Sequence, residues 1–117
     1  MMLRIVPLIC LALAACDSHR AELDAVRMQL SDPGSAEFGS VETDDGTTCG
    51  FVNAKNRLGG YVGFRAFIVK SGVAELEGKL GEFATRIPSE CSRPLAMEYI
   101  DLLAGRVDAY DSIIGRE

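Results

Sequence analysis

Residues 49–69 read CGFVNAKNRLGGYVGFRAFIV, and the alternation within this stretch decides the fold class. Along Gly60–Val69, Val62, Phe64, Ala66 and Ile68 fall on one side of an extended chain and Tyr61, Arg65 and Phe67 on the other, the period-two pattern of a strand. Cys49–Ala54 reads as a second strand. Lys55–Gly59 between them reads as a hairpin loop, because Asn56 and the glycines at 59 and 60 tolerate positive φ. The centre of the protein is therefore antiparallel sheet.

Working outward, Ala36–Thr43 reads as a short strand closed by the turn signal Asp44-Asp45-Gly46. Downstream, Val73–Glu77 and Gly81–Ile87 read as two more short strands joined at Gly78 and Lys79, and Pro88 and Pro94 bracket Cys91 in an irregular connection. Helices flank the sheet. Leu23, Val26 and Leu30 sit at helical spacing within Arg20–Leu30, with Ser18 as the N-cap and Asp32-Pro33-Gly34 as the stop. At the other end Ala96, Tyr99, Ile100, Leu103, Val107, Tyr110 and Ile114 recur at steps of three and four. Glu98, Asp101, Arg106, Asp108 and Asp111 take the opposite face, and Gly105 weakens the middle by about 1 kcal/mol relative to alanine. The expectation is an α+β domain over residues 20–117: an N-terminal helix, an antiparallel meander of about four short strands, and a C-terminal amphipathic helix packed on the sheet.

The first residues follow different rules. Apart from Arg4 and Pro7, every residue of Met1–Ala15 is apolar. A positive start, a short apolar run and the small residues Ala14 and Ala15 compose a secretory signal. The run is about half the roughly 20 apolar residues a membrane-crossing helix needs. Without this segment the apolar share falls from 48 % to roughly 42 %, ordinary for a soluble globular domain. The end of the signal, Leu13-Ala14-Ala15-Cys16, resembles the bacterial lipobox, whose cysteine is acylated before cleavage. The resemblance implies a lipoprotein with its lipid on Cys16, residues 16–19 forming the anchor and a short tether. Each buried CH₂ of such a lipid, palmitate or similar, adds about 0.8 kcal/mol, and two or more chains anchor stably. Asp17 resembles the signal that retains lipoproteins of enteric bacteria in the inner membrane, so the body is expected to face the periplasm from there, with the outer membrane as the alternative.

Four cysteines then sort by position. Cys10 lies in the signal and Cys16 carries the lipid, leaving Cys49 and Cys91 as an even pair in an oxidising compartment, read as one disulfide. A loop of that length gives about 4 kcal/mol in the chain-entropy treatment, a large share of a small domain's stability. A metal site is not expected: there is no CxxC, the lone His19 sits beside the anchor, and Asp44-Asp45-Gly46 lacks the ligand spacing of a calcium loop. No cofactor motif or convergent catalytic set is present either. Glu75 and Glu77 would share a strand face, but without a neighbouring base.

Charge narrows the partners. Twelve basic against 17 acidic residues give a net charge of −5, unsuited to nucleic acid, whose binding is driven by Lys and Arg displacing counterions. Yet residues 46–74 hold no acid at all while containing Lys55, Arg57, Arg65 and Lys70. A hairpin bearing Asn53, Lys55, Asn56, Arg57 and Tyr61, with Arg65 following, has the donors for an anion. In the envelope that anion would be a cell-wall carboxylate, a lipid headgroup phosphate or an acidic protein. The competing explanation is structural: basic residues guard a sheet edge, and asparagines and glycines shape its turn.

The stretch from Leu30 to Phe67 also resembles a family of small bacterial proteins, some exported and some from prophages, with the pattern DPxSAxF…CGxVNAKNxxGGYxGxxxF. Asp32-Pro33-Gly34-Ser35-Ala36-Glu37-Phe38 supplies the first part and Cys49 through Phe67 the second. The resemblance implies a shared core and brings no settled activity. The functional expectation is a membrane-anchored, non-catalytic interaction module. The alternatives are an exclusion or inhibitor protein of prophage type, or an enzyme acting on wall or lipid, for which the residues offer least.

Overall fold

The computed structural model describes residues 19–105. The signal Met1–Ala15, the anchor Cys16, Asp17, Ser18 and the helical positions Val107, Tyr110 and Ile114 lie outside those residues, and the N-cap of the first helix is His19, without a side-chain cap hydrogen bond, in place of the expected Ser18. What is described is α+β. The order is α1 (Arg20–Arg27), a single 3₁₀ turn (Pro33–Ser35), β1 (Glu37–Asp44), β2 (Thr47–Asn53), β3 (Arg65–Lys70), β4 (Val73–Leu76), α2 (Arg86–Glu90) and α3 (Arg93–Leu103). The four strands form one antiparallel meander in sequence order.

Two of the three strand connections are as tight as a chain allows. Asp44 pairs with Thr47 across Asp45 (φ 51°) and Gly46 (φ 80°). Lys70 pairs with Val73 across Ser71 (φ 50°) and Gly72 (φ 77°). Positive φ at both central residues gives the turn whose twist matches that of the flanking strands. The third connection is different. β2 and β3 stop pairing at Val52 and Arg65, and residues 54–64 leave the sheet as a separate arm closed by one bridge between Lys55 and Tyr61.

This arm corrects the strand expected over Gly60–Val69, which starts only at Arg65. Gly63 takes φ 98°, a left-handed conformation that no strand sustains, and Val62 is left 54 % exposed. The strand expected over Gly81–Ile87 is also absent. Gly81 has φ 100°, residues 81–85 are turns, and Phe83 and Ile87 meet the core four residues apart, as in a helix. Pro88 is accommodated in the first turn of α2, where the missing amide has no intrahelical acceptor to lose. The connection around Cys91 is accordingly helical on both sides: Ser92 caps α3 by accepting from the Leu95 amide at 3.3 Å, and Pro94 occupies its first turn. Gly105 stands past the end of α3, with φ 71° after the C-cap Ala104, instead of inside a helix. At the N-terminus α1 ends at Arg27, and Leu30 is reached through turns.

The sheet is covered on both faces. Cys49, Phe51, Ala66 and Ile68 pack with Phe83, Ile87, Leu95 and Tyr99 beneath α2 and α3. Val52, Phe67, Val69 and Ala74 pack with Val26, Leu30 and Phe38 beneath α1. Phe51 stacks on Tyr99 with centroids 6.4 Å apart, and Phe38 meets Phe67 edge-on at 5.8 Å. Gly50 makes that second contact feasible, since a Cβ there would lie 2.7 Å from the Phe67 ring. Opposite Gly50, β1 carries one extra residue in a bulge, where Ser40 adopts φ 53° and donates to Glu98. The disulfide Cys49–Cys91 is present, with Cα atoms 6.0 Å apart, and ties the middle of β2 to the junction of α2 and α3.

Candidate functional site

Of the six residues expected at an anion site, Lys55, Asn56 and Arg65 line one cleft, Asn53 and Tyr61 fasten the arm, and Arg57 stands exposed at its tip. Asn53 is buried, and its Oδ1 accepts the Gly63 amide at 3.0 Å, fastening the end of the arm to the end of β2. The Asn56 Oδ1 accepts the amides of Leu58 (2.9 Å) and Gly60 (3.2 Å), while the Gly59 amide donates to the Asn56 carbonyl. Asn56 thus builds the turn from its own side chain, the reason asparagine suits this place. Tyr61 donates to the Ser35 carbonyl at 3.1 Å, and the Ser35 hydroxyl accepts the Lys55 amide at 2.9 Å. The arm is therefore pinned at its base to the 3₁₀ turn. At its tip Arg57 and Leu58 are exposed, Leu58 to 95 %.

Electrostatics separate the two sides of the arm. Partial burial, with Glu37 and Asp32 nearby, raises the Tyr61 phenol above its usual value. That side is unfavourable to an anion. The Lys55 ammonium lies 5.6 Å from the Tyr61 ring centroid, a cation–π contact. Lys55, Asn56 and Arg65 line a cleft of about 280 Å³ together with Gln29 and Ser31 from beyond α1. No acid lines it. One Arg65 Nη donates to the Glu77 carbonyl at 3.2 Å, whereas its Nε is enclosed and has no acceptor. Among the described residues neither Lys55 nor Arg65 has a carboxylate within 4 Å.

Gln29 and Ser31 carry no local signal of this role. They reach the cleft only because α1 packs over β3 and β4, where Gln29 also donates to the Ala74 carbonyl. A second feature invisible in the pattern is Glu77. It does not act as a pair with Glu75, which is exposed and bridges to Arg86. Glu77 is 0 % exposed, and its oxygens accept from the amides of Ala66, Gly81 and Phe83 and from the Tyr99 hydroxyl. Burial, and next the Glu77 carboxylate, push the Tyr99 phenol well above its ordinary value, so it stays protonated as a donor. Glu77 is a structural knot, fully engaged by the backbone around it.

No described helix is long and apolar enough to cross a membrane, and no group of three or more described His, Cys, Asp or Glu side chains could hold a metal ion. In comparisons with family models, curated proteins and solved structures, the chain matches none.

Proposed function

We propose that the protein is a lipid-anchored envelope protein, held through an acylated Cys16 at the inner membrane, whose folded body is a non-catalytic interaction module facing the periplasm. The anchor rests on the signal and the lipobox resemblance. The module rests on one observation: the arm of residues 54–64 leaves the sheet, is fastened at both ends, and presents Arg57 and Leu58 at its tip. A tight turn built by Asn56 loses little entropy when a partner closes on it, since its backbone is already ordered. An exposed leucine beside an arginine pairs apolar contact with a charge that acidic partners complement.

The test is photocrosslinking in intact envelopes from position 58 of the full-length chain, with position 79 on another loop as control. A discrete adduct from position 58, lost when Arg57→Ser is added, is the expected result. Equal labelling from both positions, or none, removes the arm as a contact surface. Mass spectrometry of the purified protein tests the anchor separately. An unmodified Cys16 thiol would end the envelope assignment.

A further inference from the structure

The cleft beside the arm, distinct from its exposed tip, contains two positive charges that the protein itself leaves uncompensated. In a chain of net charge −5 this is an unusual place. Arg27 is answered by Asp24, Lys70 by Glu90, and Arg86 by Glu75 and Glu90, while the exposed Arg20, Arg57, Lys79 and Arg93 stand in water without an ion pair among the described residues. Lys55 and Arg65 are both half-buried, line the same concavity, and have no such partner among the described residues. Half-buried cations without a counter-charge are unfavourable, and an anion at this cleft would relieve them.

We propose that this cleft binds a phosphate monoester, with the guanidinium of Arg65 and the ammonium of Lys55 taking its oxygens. The donor set decides between anions. One Arg65 Nη is spent on the Glu77 carbonyl and the Nε is enclosed by the protein, which leaves the second Nη of the fork for a ligand. Lys55 adds an ammonium with three donors, and the Asn56 amide, whose oxygen is held by the turn, adds a further N–H group. Two cations against one carboxylate leave a positive charge unanswered, whereas a phosphate monoester brings about −1.5 to −2 charges and three acceptor oxygens. The volume of about 280 Å³ is just under the range of small-molecule pockets, room for a headgroup-sized ligand. Neither the anchor nor a protein at the arm tip is needed for this binding.

The full-length chain in nonionic detergent is titrated with inorganic phosphate while the Arg65 Nε–H resonance is followed by NMR. A saturable shift is expected, with acetate at equal ionic strength binding at least about tenfold more weakly. Lys55→Ser should weaken phosphate binding about tenfold or more, as loss of a charge-assisted contact does. It removes a half-buried side chain whose backbone amide bond to Ser35 survives, so folding is retained. Arg57→Ser at the tip should change the affinity less than threefold, which separates this site from the arm's proposed role. Nanodiscs of phosphatidylcholine with and without phosphatidic acid then distinguish a lipid headgroup from a soluble phosphate as the source. No saturable shift, acetate binding as tightly as phosphate, or unchanged affinity in the Lys55→Ser variant would each overturn the proposal.

Discussion

Consider removal of one oxygen atom, Tyr99→Phe, and of one charge, Glu77→Gln. The Tyr99 ring stacks on Phe51 and fills the core beneath α3, and phenylalanine preserves that contact. What disappears is the hydroxyl donor to Glu77. A hydrogen bond to a charged acceptor contributes about 1.5–3 kcal/mol, so a loss of about 2 kcal/mol is expected. For a domain of this size that corresponds to a fall in Tm of roughly 8–16 °C. Glu77→Gln is more damaging. The amides of Gly81 and Phe83 donate to the same carboxylate oxygen as Tyr99, and the Ala66 amide to the other. An amide side chain has one acceptor oxygen, so whichever way it turns, at least one backbone N–H faces an NH₂ group inside the core. The cost is about 3–5 kcal/mol, comparable to breaking one side of a buried ion pair. Glu75→Gln is the control. Its carboxylate is half exposed and bridges to Arg86, so its loss should stay below about 1 kcal/mol. Urea titration of the oxidised protein followed by near-ultraviolet dichroism measures all three. Hydrogen exchange at the Gly81 and Phe83 amides reports whether the loop has opened. If Glu77→Gln costs less than Glu75→Gln, or those amides stay protected in it, the knot is not what holds this loop.

Reducing the Cys49–Cys91 bond, or replacing both cysteines with serine, should lower stability by about 4 kcal/mol, read as a shift in the urea midpoint with and without reductant. Gly50→Ala should cost about 1–3 kcal/mol by overpacking, because the new methyl meets the Phe67 ring at 2.7 Å and the Val41 Cα at 3.2 Å, and the backbone atom cannot step aside. A crystal structure of that variant with Phe67 unmoved would contradict the argument. The Arg86 guanidinium, and after it the Lys70 ammonium, hold the Glu90 carboxyl down to about 2 from an ordinary 4.5. Because the folded value is the lower one, this stabilisation is complete above pH 4.5 and disappears as pH falls toward 2. Thermal melts across that range should show a decline that Glu90→Gln flattens, and an identical slope in the variant would sink the assignment.

The local features of this fold are written in neighbouring residues. Asp44-Asp45-Gly46 demands a tight turn, Ala66 and Ile68 facing one way with Arg65 and Phe67 facing the other demand a strand, and Asp32-Pro33 stops a helix, so four strands flanked by helices were legible as an α+β meander. The cysteine pair was legible too, by elimination among four residues. Where local signals competed, the sequence pattern misled. Val62 and Phe64 alternate as in a strand, but Gly63 in a left-handed conformation, with its amide held by Asn53, turns the segment out of the sheet. Gly81–Ile87 reads as extended in isolation, yet Glu77 gathers the Gly81 and Phe83 amides into turns that lead to α2. The same limit applies to the candidate site. Lys55, Asn56 and Arg65 are near one another in the chain and could be grouped from it, whereas Asn53 and Tyr61 prove to be fasteners and Gln29 and Ser31 join from beyond a helix. Residue type and spacing determine turns, caps and which positions prefer burial, because those depend on contacts a few residues apart. Which polar groups meet inside the protein depends on contacts between α1, β3, β4 and α3, segments that are distant along the chain, and only the packed structure decides it.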